Sequence, residues 1–214
     1  MALLAVSHPN HPSFFVNKLW GYFIPAPPDA ATQHALEHLY VANGKRIKPV
    51  VAAILKHPAL YNGPRMVKSP ALYNAGLLRR LGRGIDTTAY AWLGDMAGQR
   101  LFSPPNVAGW DDTRWLDTAT WRGRWWIATQ VLKPSALDPA SATRPFDAQA
   151  LLDSALRFWN NPPLGDATHR ALLAFAQSAL GDAAGANWKR KQYAVMTQNA
   201  LRQLIAVSPE MQAA

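Results

Sequence analysis

The sequence predicts a mostly α-helical protein, a multi-helix orthogonal bundle interrupted by one long irregular loop rich in proline, glycine and tryptophan. Apolar residues recur at helical spacing through most of the chain. The periodic runs open at or near Asp, Ser, Thr or Asn and close at glycine or proline, the residues that cap and terminate helices. No convincing pair of strands is present.

The elements follow in order. Asn10 to Ile24 places Phe15, Leu19, Tyr22 and Phe23 on a helix that Pro25 and the Pro27-Pro28 pair close. A second helix runs from Asp29 to Asn43, with Leu36, Leu39 and Tyr40 apolar and Gly44 as its stop. A third, Arg46 to His57, carries Ile47, Val50, Val51, Ile54 and Leu55 and ends before Pro58. Ser69-Pro70 pairs an N-cap oxygen with a proline whose missing N–H costs nothing at the first helical position. The helix it opens holds Leu72, Leu77, Leu78 and Leu81 and stops at Gly82, and Thr87 or Thr88 caps another through Met96. Gly98 to Asp112, with Pro104, Pro105 and Gly109, is excluded from regular helix and from a central strand. Helices resume over 118–132, 147–159, 166–180 and 188–207. Three prolines with Ser and Thr between Lys133 and Pro145 read as a linker or crossing loop.

Composition bounds the class. The 214 residues suffice for a sizeable core without covalent staples. No run of 18 apolar residues exists, so no transmembrane helix is expected, and Met1 to Val6 lacks the basic flank of a signal peptide. The absence of cysteine excludes disulfides, thiolate ligands and a cysteine nucleophile. The net charge of +9 attracts anionic polymers without specificity. Nine tryptophans are the most unusual feature of the composition.

The stretch from Gly98 to Trp126 is the candidate site. Pro104-Pro105 stiffens it, Gly109 permits close approach or a positive φ, and Trp110 stands at the end of the turn. Asp111 and Asp112 follow, then Trp115, Trp121, Arg122, Arg124, Trp125 and Trp126. Indole faces stack on sugar rings or bases, while Asp and Arg supply oriented hydrogen bonds. Arg100, Asn106, Trp110, Trp115 and Arg124 are the expected ligand-binding residues. Asp111, Asp112 and Arg124 are the only catalytic candidates, on the general acid–base chemistry that paired carboxylates permit. The competing account is packing: large side chains seal an irregular loop, and Asp111 or Asp112 caps a turn and pairs with Arg124.

Other patterns are weaker. His34, Glu37 and His38 form a His-x-x-Glu-His string, the spacing of an inverted zinc-protease motif, but a third ligand is needed. The one other glutamate, Glu210, falls in a tail expected to fray. A solvated helix face is the better reading, and no metal or other cofactor is expected. His11 and Lys18 read as structural. Basic clusters at Lys45-Arg46-Lys48, Arg79-Arg80-Arg83, Arg122-Arg124 and Lys189-Arg190-Lys191 are spread over separate helices without a nucleic-acid motif, so specific nucleic-acid binding is not expected. There is no phosphate loop and no Gly-x-Ser-x-Gly elbow.

Four segments carry a resemblance. They are HPSFFVNKLWGYFI from His11, VKSPALYNAGLLRRLG from Val67, GQRLFSPPNVAGW from Gly98 and WLDTATWRGRWW from Trp115. Together they resemble the C-terminal half of a bacterial family known as domain of unknown function 1800, the Pro-Pro-Asn-Val-x-Gly-Trp string being the most specific. The resemblance spans about residues 8–130, Arg124 matching a family arginine, and leaves the remainder as helical filler. It implies a truncated product of a longer protein, a periplasmic or extracellular setting in full-length form, and an exported partner protein or polymer as ligand. It divides the chain into a family-like helical core over 8–132, a linker or crossing loop over 133–145, and C-terminal helices over 146–208 packed on that core. Truncation implies an apolar patch around Phe14, Phe15 and Leu19.

Three functions are compatible with these residues. The first is a binding or assembly module using the tryptophan-rich loop, which requires Trp110, Trp115 and Arg124 to open onto one accessible groove. The second is a hydrolase-type enzyme with an Asp/Arg site, which requires a buried carboxyl held above its usual range. The third is non-specific nucleic-acid binding through basic surface.

Overall fold

A computed structural model describes residues 6–141, 147–181 and 187–213. The first five residues of the apolar start and the 142–145 end of the proline-rich stretch lie outside the described residues. Among the described residues there are eleven α-helices and three short 3₁₀ turns, and the only β pairing is an isolated bridge between Val67 and Ala213. The protein is mostly α-helical, as the periodicity requires.

The chain divides into two compact units at Met66/Val67. The first contains α1 (His11–Gly21), α2 (Ala30–Ala42), α3 (Ile47–Leu55) and α4 (Pro58–Asn62). Val16, Trp20, Ile24, Leu36, Tyr40, Val50 and Ile54 form its core. Each main helix presents its i, i+3, i+4 stripe inward, and that stripe rather than intrinsic propensity holds such short helices. The Trp20 indole donates to the Ala26 carbonyl at 2.7 Å and so fixes the proline-rich exit from α1. His11 Nε2 lies 3.1 Å from the Tyr40 hydroxyl, and its ring stacks on Phe15. Lys18 lies over the Phe14 ring. Phe14 is exposed, whereas Phe15 stacks on Tyr40 and packs with Leu19 against the core, so the expected patch reduces to Phe14.

The second unit contains α5 (Pro70–Arg80), α6 (Ala89–Met96), α7 (Thr118–Leu132), α8 (Ala148–Phe158), α9 (Asp166–Gly181), α10 (Asn187–Ala206) and α11 (Pro209–Gln212). A continuous core joins Tyr73 and Leu77 of α5, Leu93 of α6, Ile127 and Val131 of α7, Leu152 of α8 and Leu201 and Ile205 of α10. Side-chain caps set several starts. Ser69 accepts from Leu72 N, Asp117 from Thr120 N and Asp147 from Ala150 N, each satisfying an amide that has no partner inside the helix.

The boundary therefore falls ahead of the 133–145 stretch, because α8 to α10 share one core with α5 to α7. Residues 133–141 are a crossing segment tied to α10. Leu137 N donates to Asn199 Oδ1, the Asn199 amide donates back to Leu137 O, and Arg202 donates to Ser135 O.

The C-terminal tail does not fray. Val207, Ser208, Met211 and Gln212 are buried, and Lys68 N donates to Gln212 O at 2.8 Å beside the Val67–Ala213 bridge. Glu210 accepts from Gly165 N at 2.8 Å and from the Thr168 hydroxyl at 2.9 Å, placing a carboxylate at the N-terminal end of α9. Burial pushes this carboxyl up, but the Gly165 amide and the Thr168 hydroxyl help outweigh it and hold it below the usual carboxylate range. A depressed folded value means that the stabilisation is present above the unfolded value near 4.5 and is lost as pH falls through the folded one. Glu210→Gln is expected to cost about 0.3–1 kcal/mol at neutral pH. In urea titrations across pH, the gap to the natural chain should close in acid. A gap that persists there would remove the charge from this account.

Candidate functional site

The loop after α6 leaves by two backbone reversals. Gly98 has φ +97°, and a side chain there would meet Trp115 Cδ1 at 3.3 Å and Thr120 Cγ2 at 3.1 Å. Gly109 at φ +98° makes the second, where space is open. Between them every residue from Leu101 to Ala108 is exposed. Phe102 is 96% exposed and sits at φ +61°, a left-handed conformation that bulky side chains rarely adopt. Val107 is fully exposed beside the Pro104-Pro105 pair.

The loop is braced by its own polar residues. Asn106 Oδ1 accepts from Ala108 N at 2.8 Å and Asn106 O accepts from Gly109 N, an Asx turn. Asp111 Oδ1 accepts from Thr113 N at 3.1 Å and from the Thr113 hydroxyl, holding the 3₁₀ turn Asp112–Arg114. Arg114 pairs with Asp117 at 3.3 Å. The Asp117 carboxyl is held low, chiefly by the Thr120 amide it caps.

Arg124 is the best-determined residue of the region. It lies on the inward face of α7, with Ile127, Ala128 and Val131 at i+3, i+4 and i+7, and is 0% exposed. Its Nε donates to Trp115 O at 2.8 Å, one terminal nitrogen to Gln212 Oε1 at 3.1 Å and the other to Lys68 O at 2.6 Å. Its guanidinium also lies over the Tyr73 ring, 5.3 Å from the centroid. All three hydrogen-bond partners are neutral acceptors. Burial lowers this arginine to about 10, which still leaves it charged at neutral pH. Burial pushes the Tyr73 hydroxyl up, and that hydroxyl donates to Ala206 O at 3.0 Å.

The expected site residues therefore separate. Arg100, Asn106, Asp111 and Asp112 are exposed on the loop, whereas Trp110 and Trp115 are half-buried at its base. Both indole N–H groups are buried without a protein acceptor. Arg124 is brought to Trp115, but through the Trp115 backbone, and it does not open to solvent. It pairs with neither Asp111 nor Asp112. Asp29, Asp117 and Glu210, the described carboxyls whose pKa departs from its usual value, all move downward. His34 and His38 are exposed on α2, and Glu37 accepts from the Gln33 amide at 2.8 Å.

Sequence reasoning passed over Phe102 and Val107. The available signal was two apolar residues in a stretch with no helical register to bury them. For Arg124 the signal was its place on the apolar stripe of its own helix.

A helical scaffold holding one braced loop with an apolar tip is the class of protein that this fold and region define. The chain belongs to the family described as Protein of unknown function (DUF1800), whose model matches residues 2–213. That match includes the C-terminal helices as well as the four motif segments. Neither a curated protein nor a solved structure matches the chain. No described helix is long and apolar enough to cross a membrane.

Proposed function

We propose that the protein is a binding or assembly module whose 98–117 loop engages an exported partner protein or polymer. The observation that carries this is Phe102, a nearly fully exposed aromatic ring in a left-handed backbone conformation. Holding a bulky residue there costs about 1–3 kcal/mol, and no buried contact of the ring offsets it. Strain retained without a packing benefit points to function. Val107 extends the apolar tip, Pro104-Pro105 reduces the entropy lost on docking, and the indoles of Trp110 and Trp115 flank the base. The setting we propose, periplasmic or extracellular, rests on the family resemblance.

Phe102→Gly separates function from stability. Glycine accepts φ +61° without strain, so the thermal midpoint should hold or rise. Capture of the partner from an exported-protein fraction by the immobilised protein should fall sharply. A Phe102→Gly, Val107→Ser double variant that captures the same material as the natural chain would refute this reading.

A further inference from the structure

We propose that the outer face of α3 is a docking surface for anionic lipid, seating the first unit on a bilayer whose headgroups carry negative charge. The nine residues Ile47–Leu55 carry two apolar stripes, where a helix covering one small core needs a single one. Val50 and Ile54 form the inward stripe and are 0% exposed. Ile47, Val51 and Leu55 form the second, at i, i+4 and i+8. Ile47 is 51% exposed, Leu55 is 42% exposed and Val51 is half-buried. The Tyr61 ring, 73% exposed, extends this stripe, since its hydroxyl donates to Leu55 O at 2.8 Å. An aliphatic strip continued by an exposed tyrosine suits the boundary between headgroups and acyl chains, where one side of a helix is apolar and the other wet. The attachment is peripheral, because no described helix is long and apolar enough to cross a membrane.

Charge selects the occupant. Lys45, Arg46, Lys48 and Lys56 bracket the stripe in sequence, and no acidic residue occurs between Glu37 and Asp86. The whole first unit, residues 1–66, has six Lys and Arg against two acids. Both acids are occupied on α2, Asp29 capping its start through Thr32 N and Glu37 accepting from the Gln33 amide. Lys48 and Lys56 are exposed, and among the described residues neither makes an ion pair. Their long stems can lie along the apolar strip while the ammonium groups reach outward. Nucleic acid would be drawn by the same cations, but Ile47, Val51 and Leu55 neither stack on bases nor bond to phosphate, so covering them with it gains little. A folded protein would need a contour matched to a projecting helix. A bilayer accepts apolar projections without one, and its anionic headgroups answer the lysines, each cation adding about fivefold to partition.

This inference does not rest on the loop reading, since every residue it uses lies in the first unit. Flotation of the whole chain with vesicles tests it, comparing pure phosphatidylcholine with phosphatidylcholine containing about one-third phosphatidylglycerol. Binding should favour the anionic vesicles by at least about tenfold. It should fall steeply as salt is raised from about 0.1 M to about 1 M, which shortens the screening length to about 3 Å. Lys48→Glu with Lys56→Glu should weaken binding to the anionic vesicles at least about twentyfold. Ile47→Ser with Leu55→Ser, both at exposed positions, should keep the thermal midpoint and weaken that binding about tenfold. The proposal is overturned if neutral vesicles bind equally or if the glutamate pair binds anionic vesicles as the natural chain does. It is also overturned if the serine pair binds them undiminished, the result expected of a surface that reads charge alone, as nucleic-acid binding would.

Discussion

Arg124→Met is expected to destabilise the Val67–Ala214 unit by about 2–4 kcal/mol, read as a lower urea midpoint at an unchanged slope. Methionine keeps much of the side-chain volume but leaves Trp115 O, Lys68 O and Gln212 Oε1 without their donor. Each buried acceptor stranded in this way costs about 1–3 kcal/mol. Relief of the desolvation that lowers the arginine acts in the opposite direction, because no carboxylate neutralises the guanidinium. The loss wins because the three acceptors belong to segments far apart in sequence, one of them the buried tail. With the donor gone they can recover water only by opening that seam. Arg124→Lys should fall between the two, since a point ammonium cannot span acceptors arranged around a planar fork. A local signature distinguishes this account from general loss of packing. The Lys68 amide, which donates to Gln212 O at 2.8 Å, should lose hydrogen-exchange protection before the core of α7 does. Unchanged stability with a protected Lys68 amide would show that the arginine does not hold the seam.

That seam also marks where the sequence stops being legible. Helix starts at Ser69-Pro70, Asp117 and Asp147 were readable because a cap and the amide it satisfies lie three residues apart. The irregular course of 98–112 was readable for the same local reason, as prolines and glycines restrict their own backbone. The partners of Arg124 were not, since Lys68 and Gln212 lie 56 and 88 residues away and no local pattern links them. The unit boundary at Met66/Val67 was hidden likewise. It is set by which helices share a core, whereas the prolines of 133–145 report only local stiffness. An arginine between tryptophans reads alike whether it faces a ligand or a core, and the periodicity of α7 decides in favour of the core.

A second large effect comes from glycine, with opposite signs at two helical positions. Gly123 precedes Arg124 on α7 and sits directly against the end of α6. A Cβ there would lie 2.4 Å from Ala97 N, 2.6 Å from Met96 C and 2.7 Å from Ala97 Cα. All three are backbone atoms, so no rotamer change relieves the clash and the two helices must separate by about 1 Å. That separation loosens Leu93, Ile127 and Ala128, which meet in the core at this crossing. Gly123→Ala gains about 1 kcal/mol of helix propensity and loses more than that in packing, for an expected net cost of about 1–3 kcal/mol. Gly76 in the interior of α5 has nothing within 4 Å of the same added atom. Gly76→Ala should therefore stabilise by about 0.5–1 kcal/mol through propensity and a less flexible unfolded chain. Parallel urea unfolding of the two variants checks the contrast. A stabilising Gly123→Ala would mean that α7 does not approach α6 this closely.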